Sequence, residues 1–370
     1  MRHSWKIGRI FGIDIFVDSS WFLIFILFTW MLGSQYFPQY KGWPAVLYWM
    51  MGAFTSLMVF ASVLIHELAH SLVAIKHGEK VKNITLFILG GVAQISEEPK
   101  EPVEEFVMAV VGPLASFAIG GILFLVSLLL APLSRPFGAA FFYLAIINVV
   151  LAFFNLLPGF PMDGGRVLRS IIWRITGNIQ KATRVASLVG QGFAFFFVFI
   201  GVLRILSGDL TGVWLIFIAW FLNSAAARSY SQVKAAGILE GVKASDLMTR
   251  DFETIPGTIS IRALVEDHIL KEKERIFLVE GEGRLEGFVC LEDVKRVPRD
   301  DWDVTPVRAI LTPKEKLDSV SPNAAGNSIM SKMASGNVRL VPVMEGEKLI
   351  GIVCHSDILK YIQLRSDLKI

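Results

Sequence analysis

The chain has 370 residues, of which 53% are hydrophobic and 28 are Phe, above the roughly 45–50% apolar share of soluble domains, so a purely soluble protein is excluded. A net charge of +3, with no block of Lys and Arg interleaved with aromatics, leaves nucleic-acid binding without support. The two cysteines, Cys290 and Cys354, sit in apolar strand-like runs and indicate neither a disulfide framework nor a thiolate zinc site, which suits a reducing cytosol.

In chain order, a basic start (MRHSWKIGR) leads into GRIFGIDIFVD, residues 9 to 18, whose β-branched and partly alternating pattern predicts a short strand. No small-residue cleavage site follows the first apolar run, so no cleaved signal peptide is expected. Apolar runs then mark about six membrane passes, near 19–34, 46–75, 103–131, 139–157, 185–206 and 212–226. A passing helix needs ~20 residues, so the first and last are marginal. Between the second and third passes, VKNITLFILGGVAQIS (81–96) reads as strand, with Gly90 and Gly91 at a turn. Such strands belong at the interface under the shelter of helices, because bare edges cannot face lipid.

Lys and Arg in the short loops set the orientation. The start, the loop after pass two (Lys76, Lys80, Lys82, Lys100), the loop after pass four (Arg166, Arg169, Arg174, Lys181, Arg184) and the tail (Arg228, Lys234) are basic and share one side, while the opposite loops carry little more than Lys41, Arg135 and Arg204. Both termini are therefore expected in the cytoplasm of a cell-membrane protein. The expected fold class is a polytopic α-helical membrane domain with short interfacial β-strands over 1–232, a linker over 233–243, and a soluble α/β unit over 244–370.

The chemistry lies at two cytosolic membrane ends. HELAH, residues 66 to 70, ends pass two; on a helix His66 and His70 at i, i+4 face the same way and can reach one ion, with Glu67 beside them as a general base. On a soluble helix this pattern is often just a polar face, but inside an apolar pass ionisable groups need a partner. A hydrolytic zinc site asks for three protein ligands and an open position. His3, Asp14, Asp18, His77, Glu79, the cluster from Glu97 to Glu105 and Asp163 are the available candidates. Asp163 is best placed, since pass four leads into NLLPGFPMDGGR (155–166), where Pro158 and Pro161 hold the helix end and Gly159, Gly164 and Gly165 free it to turn. Asn155, at that helix end, is a neutral donor able to polarise a carbonyl under attack.

HELAH and NLLPGFPMDGG together resemble the site-2 protease family of intramembrane metalloproteases, whose pattern pairs HExxH on one membrane helix with NxxPxxPxDG at the end of another. The likeness covers most of residues 1–232, including the early GIDIFVD strand and the LGG turn at 89–91. It implies one zinc ion held by His66, His70 and Asp163, Glu67 as base, Asn155 near the scissile carbonyl, and regulated intramembrane proteolysis of a single-pass membrane protein. A helix hides its carbonyls in its own hydrogen bonds, so such a substrate must unwind, and strand-like residues around Gly90 and Gly91 are the expected pairing partner.

The soluble part repeats itself. GFVCLEDVKRV (287–297) recurs 64 positions later as GIVCHSDILKYI (351–362), and ASDLMT (244–249) has a weaker echo in VRAILT (307–312). Each copy reads strand, helix, strand, strand, helix over 244–305 and 306–370, with Gly287 and Gly351 beginning a strand and Asp293 and Asp357 at the following helix start. The pattern is similar to a tandem CBS pair, which implies ATP or another adenine nucleotide between the repeats, Asp293 or Asp357 on its ribose, and a homodimer through the CBS domains. Cys290 and Cys354 replace the Thr or Ser usual in that family, and each Asp also serves as an ordinary helix cap. The alternative of another class is a non-hydrolytic membrane metal transporter, or an inactive protease homologue, gated by the CBS pair; a transporter is expected to carry polar residues at mid-membrane in several passes.

Overall fold

The computed structural model describes residues 4–88, 90–95, 99, 101–250, 254–272, 276–281, 284–313, 319–336, 338, 340–346 and 348–368. His3, Glu97 and Glu98 among the candidate ligands, and Leu89 of the LGG turn, lie outside them. The chain divides into two units, Met1–Val233 and Lys234–Ile370.

The first unit opens with a hairpin, β1 (Ser4–Ile10) and β2 (Ile13–Asp18), paired antiparallel. The single strand expected over 9–18 is thus corrected to two. Phe11 and Gly12 turn the chain at φ of 50° and 82°, and a left-handed pair cannot continue a strand. Asp18 then caps helix α1 (Ser19–Met31), accepting from the Ser20 N–H at 2.9 Å and the Ser20 hydroxyl at 2.6 Å.

Helices α2 (Ala45–Lys76), α3 (Pro102–Leu130), α4 (Arg135–Asn155), α6 (Ile179–Leu206) and α7 (Thr211–Ile238), together with the run Ser19–Gln39 that extends α1, are long and apolar enough to cross a membrane. Among the described residues they are the six such helices. Their lipid-facing side chains remain uncovered, as Leu125, Leu129, Phe195 and Phe199 illustrate at 60% exposure or more. This is the pattern of a protein whose outer solvent is hydrocarbon.

The second stretch expected as strand likewise holds two, β3 (Val81–Phe87) and β4 (Gly90–Ile95), antiparallel to each other. Gly90, at φ 131°, and Gly91 start β4 rather than forming the turn. The sheet runs β1-β2-β3-β4, with β2 and β3 parallel, so β4 is an edge strand. Ile13 of β2 and Ile84 of β3 are buried against Leu68 of α2, which seats the sheet beside HELAH.

Between α4 and α6 the polar stretch folds as a further helix, α5 (Asp163–Thr176). Its arginines and its isoleucines separate onto different faces, with Arg169 buried and Ile171 and Ile175 exposed. That amphipathic distribution suits an interfacial helix.

In the second unit, β5 (Thr254–Pro256), β6 (Ile276–Gly281), β7 (Arg284–Cys290) and β8 (Thr312–Pro313) form one sheet, while β9 (Leu340–Glu345) and β10 (Lys348–Cys354) pair in another. The repeats exchange their leading segments. Thr312 and Pro313, which open the second repeat, pair with Phe288 and Gly287 of the first, and Thr249, from the start of the first, bridges Ile352 of the second. Gly287 and Gly351 therefore lie inside strands instead of beginning them. A Cβ on Gly287 would stand 2.3 Å from the Thr312 carbonyl, and one on Gly351 2.6 Å from Met248 Sδ, so glycine lets each crossing segment approach. Leu278 and Phe288 meet Leu340 and Ile352 in a shared core that joins the two repeats.

Candidate active site

His66 and His70 lie one turn apart on α2, 4% and 5% exposed. Their Nε2 atoms are 3.1 Å apart, and Oδ2 of Asp163 is 3.1 Å from one and 3.2 Å from the other. Three ligand atoms from two elements thus converge on one point. Nδ1 of His70 donates to the Met108 carbonyl at 2.6 Å; a carbonyl only accepts, so the neutral ring turns its Nε2 lone pair inward. Nδ1 of His66 is 2.9 Å from the Ser116 hydroxyl, which orients the second ring the same way when it accepts.

With both rings in that tautomer, three electron-rich atoms face one another with no proton among them, and they repel unless a cation joins them. At zinc–ligand lengths of ~2.0–2.1 Å, tetrahedral ligands stand ~3.3 Å apart, close to the 3.1–3.2 Å seen here. Imidazoles anchored through the second nitrogen are the usual partners of such an ion. The donor set fits zinc.

Local sequence explains the convergence. Pro161 and Met162 lead into Asp163 as the first residue of α5. Glycine is required behind it, since a Cβ on Gly164 would meet the Leu156 carbonyl at 2.3 Å and one on Gly165 the Gly159 carbonyl carbon at 2.3 Å. The first turn of α5 thereby lies directly on the segment that ends α4. From the other side, α3 presents Gly112: a Cβ there would stand 2.1 Å from His70 Nε2 and 2.8 Å from His66 Nε2.

Glu67 is partly buried and faces a cavity of about 450 Å³ that His66, His70, Asp163, Asn155 and Arg166 also line. Gly90, Gly91, Val92 and Ala93 of β4 form another wall. Gly91 is so close that a Cβ would lie 2.6 Å from Glu67 Cγ. The structure therefore gathers His66, His70, Glu67, Asn155, Asp163, Gly90 and Gly91 around one space. Gly112, Ser116 and Met108 back the two imidazoles without any motif of their own; their only trace in the sequence is a polar and a small residue at i, i+4 on one face of an otherwise apolar α3.

Asp293 and Asp357 belong to the second unit. Each is the third residue of a helix, Leu291–Val294 and His355–Leu368. Asp357 accepts from the Cys354 N–H at 3.3 Å, and Asp293 lies 3.6 Å from Arg296. Both act locally as helix-start acids.

A polytopic membrane protein with a two-histidine, one-carboxylate donor set, and with a further carboxylate in the same cavity, is the class these features define. Comparison with known proteins narrows it. The model of peptidase family M50 matches residues 54–138 and 131–199, and the CBS domain matches 244–300 and 307–364. The protein sll0528 of Synechocystis sp., provisionally named a zinc metalloprotease, is 36% identical over 98% of this chain and 96% of its own. Zinc metalloprotease MJ0392 of Methanocaldococcus jannaschii is 31% identical over 100% of both. A solved site-2 protease from Methanocaldococcus jannaschii is 28% identical, covering 62% of this chain and 95% of that one with a TM-score of 0.43. The chain belongs to peptidase family M50, the site-2 protease family of zinc metalloproteases, and carries a tandem CBS pair.

Proposed function

We propose that this protein hydrolyses a peptide bond in or near the transmembrane segment of a single-pass membrane protein, with zinc held by His66, His70 and Asp163 and with Glu67 as general base. The observation that carries the reading is a shared cavity: the three converging ligand atoms, the Glu67 carboxylate and the edge strand β4 all face it. Zinc, when bound, makes water acidic near neutral pH and polarises a carbonyl. Glu67 takes the proton of the attacking water and later returns it to the leaving amine, both within reach of one carboxylate. The Asn155 amide, at the end of α4, donates to the substrate carbonyl as negative charge develops there.

The buried histidines and the apolar helices around them keep bulk water from the reacting bond. An unwound substrate segment pairs with the edge of β4, where Gly90 and Gly91 leave room for its backbone next to Glu67. The CBS pair takes an adenine nucleotide, with Asp293 or Asp357 toward the ribose, and joins two protomers as a homodimer on the cytoplasmic side, the side that the Lys and Arg distribution favours for both termini.

The test is Glu67→Gln in proteoliposomes holding a single-pass reporter. Removing a general base costs about 10²- to 10⁴-fold in rate. The variant should keep one zinc per chain and lose cleavage by at least the lower figure; cleavage at the wild-type rate contradicts the assignment.

A further inference from the structure

Glu105 is fully buried in the first turn of α3 and has no part in the proposed reaction. Its Oε1 accepts from Nε of Arg169 at 2.6 Å and pairs as well with Nη2 of the same guanidinium. Arg166 brings its Nε to 3.8 Å of that oxygen and donates from Nη2 to Met108 Sδ at 3.3 Å. Arg169, 6% exposed, also lays its guanidinium over the Phe160 ring, 5.2 Å from the centroid.

These contacts join the two sides of the metal centre. Both arginines are on α5, whose first residue is Asp163. Glu105 is on α3, which through Met108 and Ser116 holds the Nδ1 atoms of His70 and His66. Phe160 lies in the segment that delivers Asp163. One charged cluster thus references the helix bearing the carboxylate to the helix orienting the imidazoles and to the chain between them.

Adhesion alone does not explain such a cluster, because apolar residues of similar size hold two helices together as well or better once desolvation is counted. What the guanidinium–carboxylate pair adds is direction: Nε and Nη2 of the planar Arg169 fork both close on the one oxygen Oε1 of Glu105, which fixes the register of the two helices. We propose that Glu105 is a positioning residue: acting through Arg169, with Arg166 as a second contact, it sets the register of α5 on α3 so that Oδ2 of Asp163 meets the Nε2 atoms of His66 and His70. The inference rests on the metal-centre reading above.

The full-length protein in nanodiscs tests it through zinc affinity, by chelator competition, and through the visible absorption of the cobalt-substituted form, which reports ligand geometry. Outer-shell changes typically weaken metal binding by about 10- to 100-fold, and Glu105→Gln should do so and shift the cobalt bands. The double variant Glu105→Met with Arg169→Met should melt no lower than wild type yet keep the weakened affinity and shifted bands. Wild-type affinity and bands in the double variant, or in Glu105→Gln if the double variant does not fold, overturn the positioning role while leaving the metal centre intact. Wild-type protein that binds zinc no more tightly than Asp163→Ala overturns the metal centre, and the positioning role with it.

Discussion

Replacing Gly112 by alanine sets helix stability against the metal centre. In α3 the change is favourable to the helix itself, since alanine exceeds glycine in helix propensity by about 1 kcal/mol. The added methyl, however, would stand 2.1 Å from His70 Nε2 and 2.8 Å from His66 Nε2, inside the space where the ligand atoms converge. The rings cannot simply swing aside, because their Nδ1 atoms are engaged by the Met108 carbonyl and the Ser116 hydroxyl, each such bond being worth about 1 kcal/mol. Overpacking of this kind costs about 1–3 kcal/mol, which at 1.4 kcal/mol per decade corresponds to about 5- to 150-fold in zinc affinity. Gly121 is the control: it lies in the same helix, with nothing within 4 Å of its Cβ position. Zinc content and chelator competition on purified protein, with cleavage of a membrane reporter, should separate the two. Gly112→Ala should lose metal and activity while still folding, and Gly121→Ala should lose neither. Full zinc occupancy and wild-type affinity in Gly112→Ala would refute the placement of the metal against α3.

Further expectations follow from the same contacts. Gly91→Ala places a methyl 2.6 Å from Glu67 Cγ; the side chain is flexible and should yield, so zinc stays bound while the turnover number falls by up to about 100-fold, the effect of an ångström of misplacement in a catalytic group. Gly287→Ala drives a Cβ to 2.3 Å of the Thr312 carbonyl, and should destabilise the CBS unit by about 1–3 kcal/mol in denaturant titration of the full chain, with zinc content unchanged. Isothermal titration with ATP should detect binding that Asp357→Asn weakens by about 10- to 150-fold, one charge-assisted hydrogen bond to the ribose being worth about 1.5–3 kcal/mol; no heat from wild type would rule the nucleotide out.

The convergence of His66, His70 and Asp163 was legible because the spacing a metal would demand is local. His66 and His70 must lie at i, i+4, and an ionisable pair in an apolar run asks for a partner that the Pro- and Gly-bracketed Asp163 supplies. The six passes were legible for a similar reason, since lipid demands long apolar runs. What was hidden depends on contacts distant in sequence. Gly112 and Ser116 look like ordinary small residues of a membrane helix until α3 is seen lying against the two imidazoles. The Phe11–Gly12 turn is disguised by an apolar residue at positive φ, so two strands read as one. Helix α5 reads as a basic loop because its apolar residues are interleaved with arginines, and only their separation onto different faces, with Arg169 buried and Ile171 and Ile175 exposed, shows the distribution to be a helix's. The exchange of leading segments between the CBS repeats is likewise invisible in a local pattern; in retrospect, its trace is the pair of glycines, Gly287 and Gly351, held at equivalent strand positions.

Everything proposed for this protein turns on one zinc ion between His66, His70 and Asp163 inside the membrane domain. X-ray absorption at the zinc edge of the purified full-length protein tests it most directly. The expected result is one zinc per chain, coordinated by two imidazole nitrogens and otherwise by oxygen only, with loss of tight zinc in Asp163→Ala. A shell containing sulfur, or an Asp163→Ala variant with unchanged zinc content and spectrum, would contradict it.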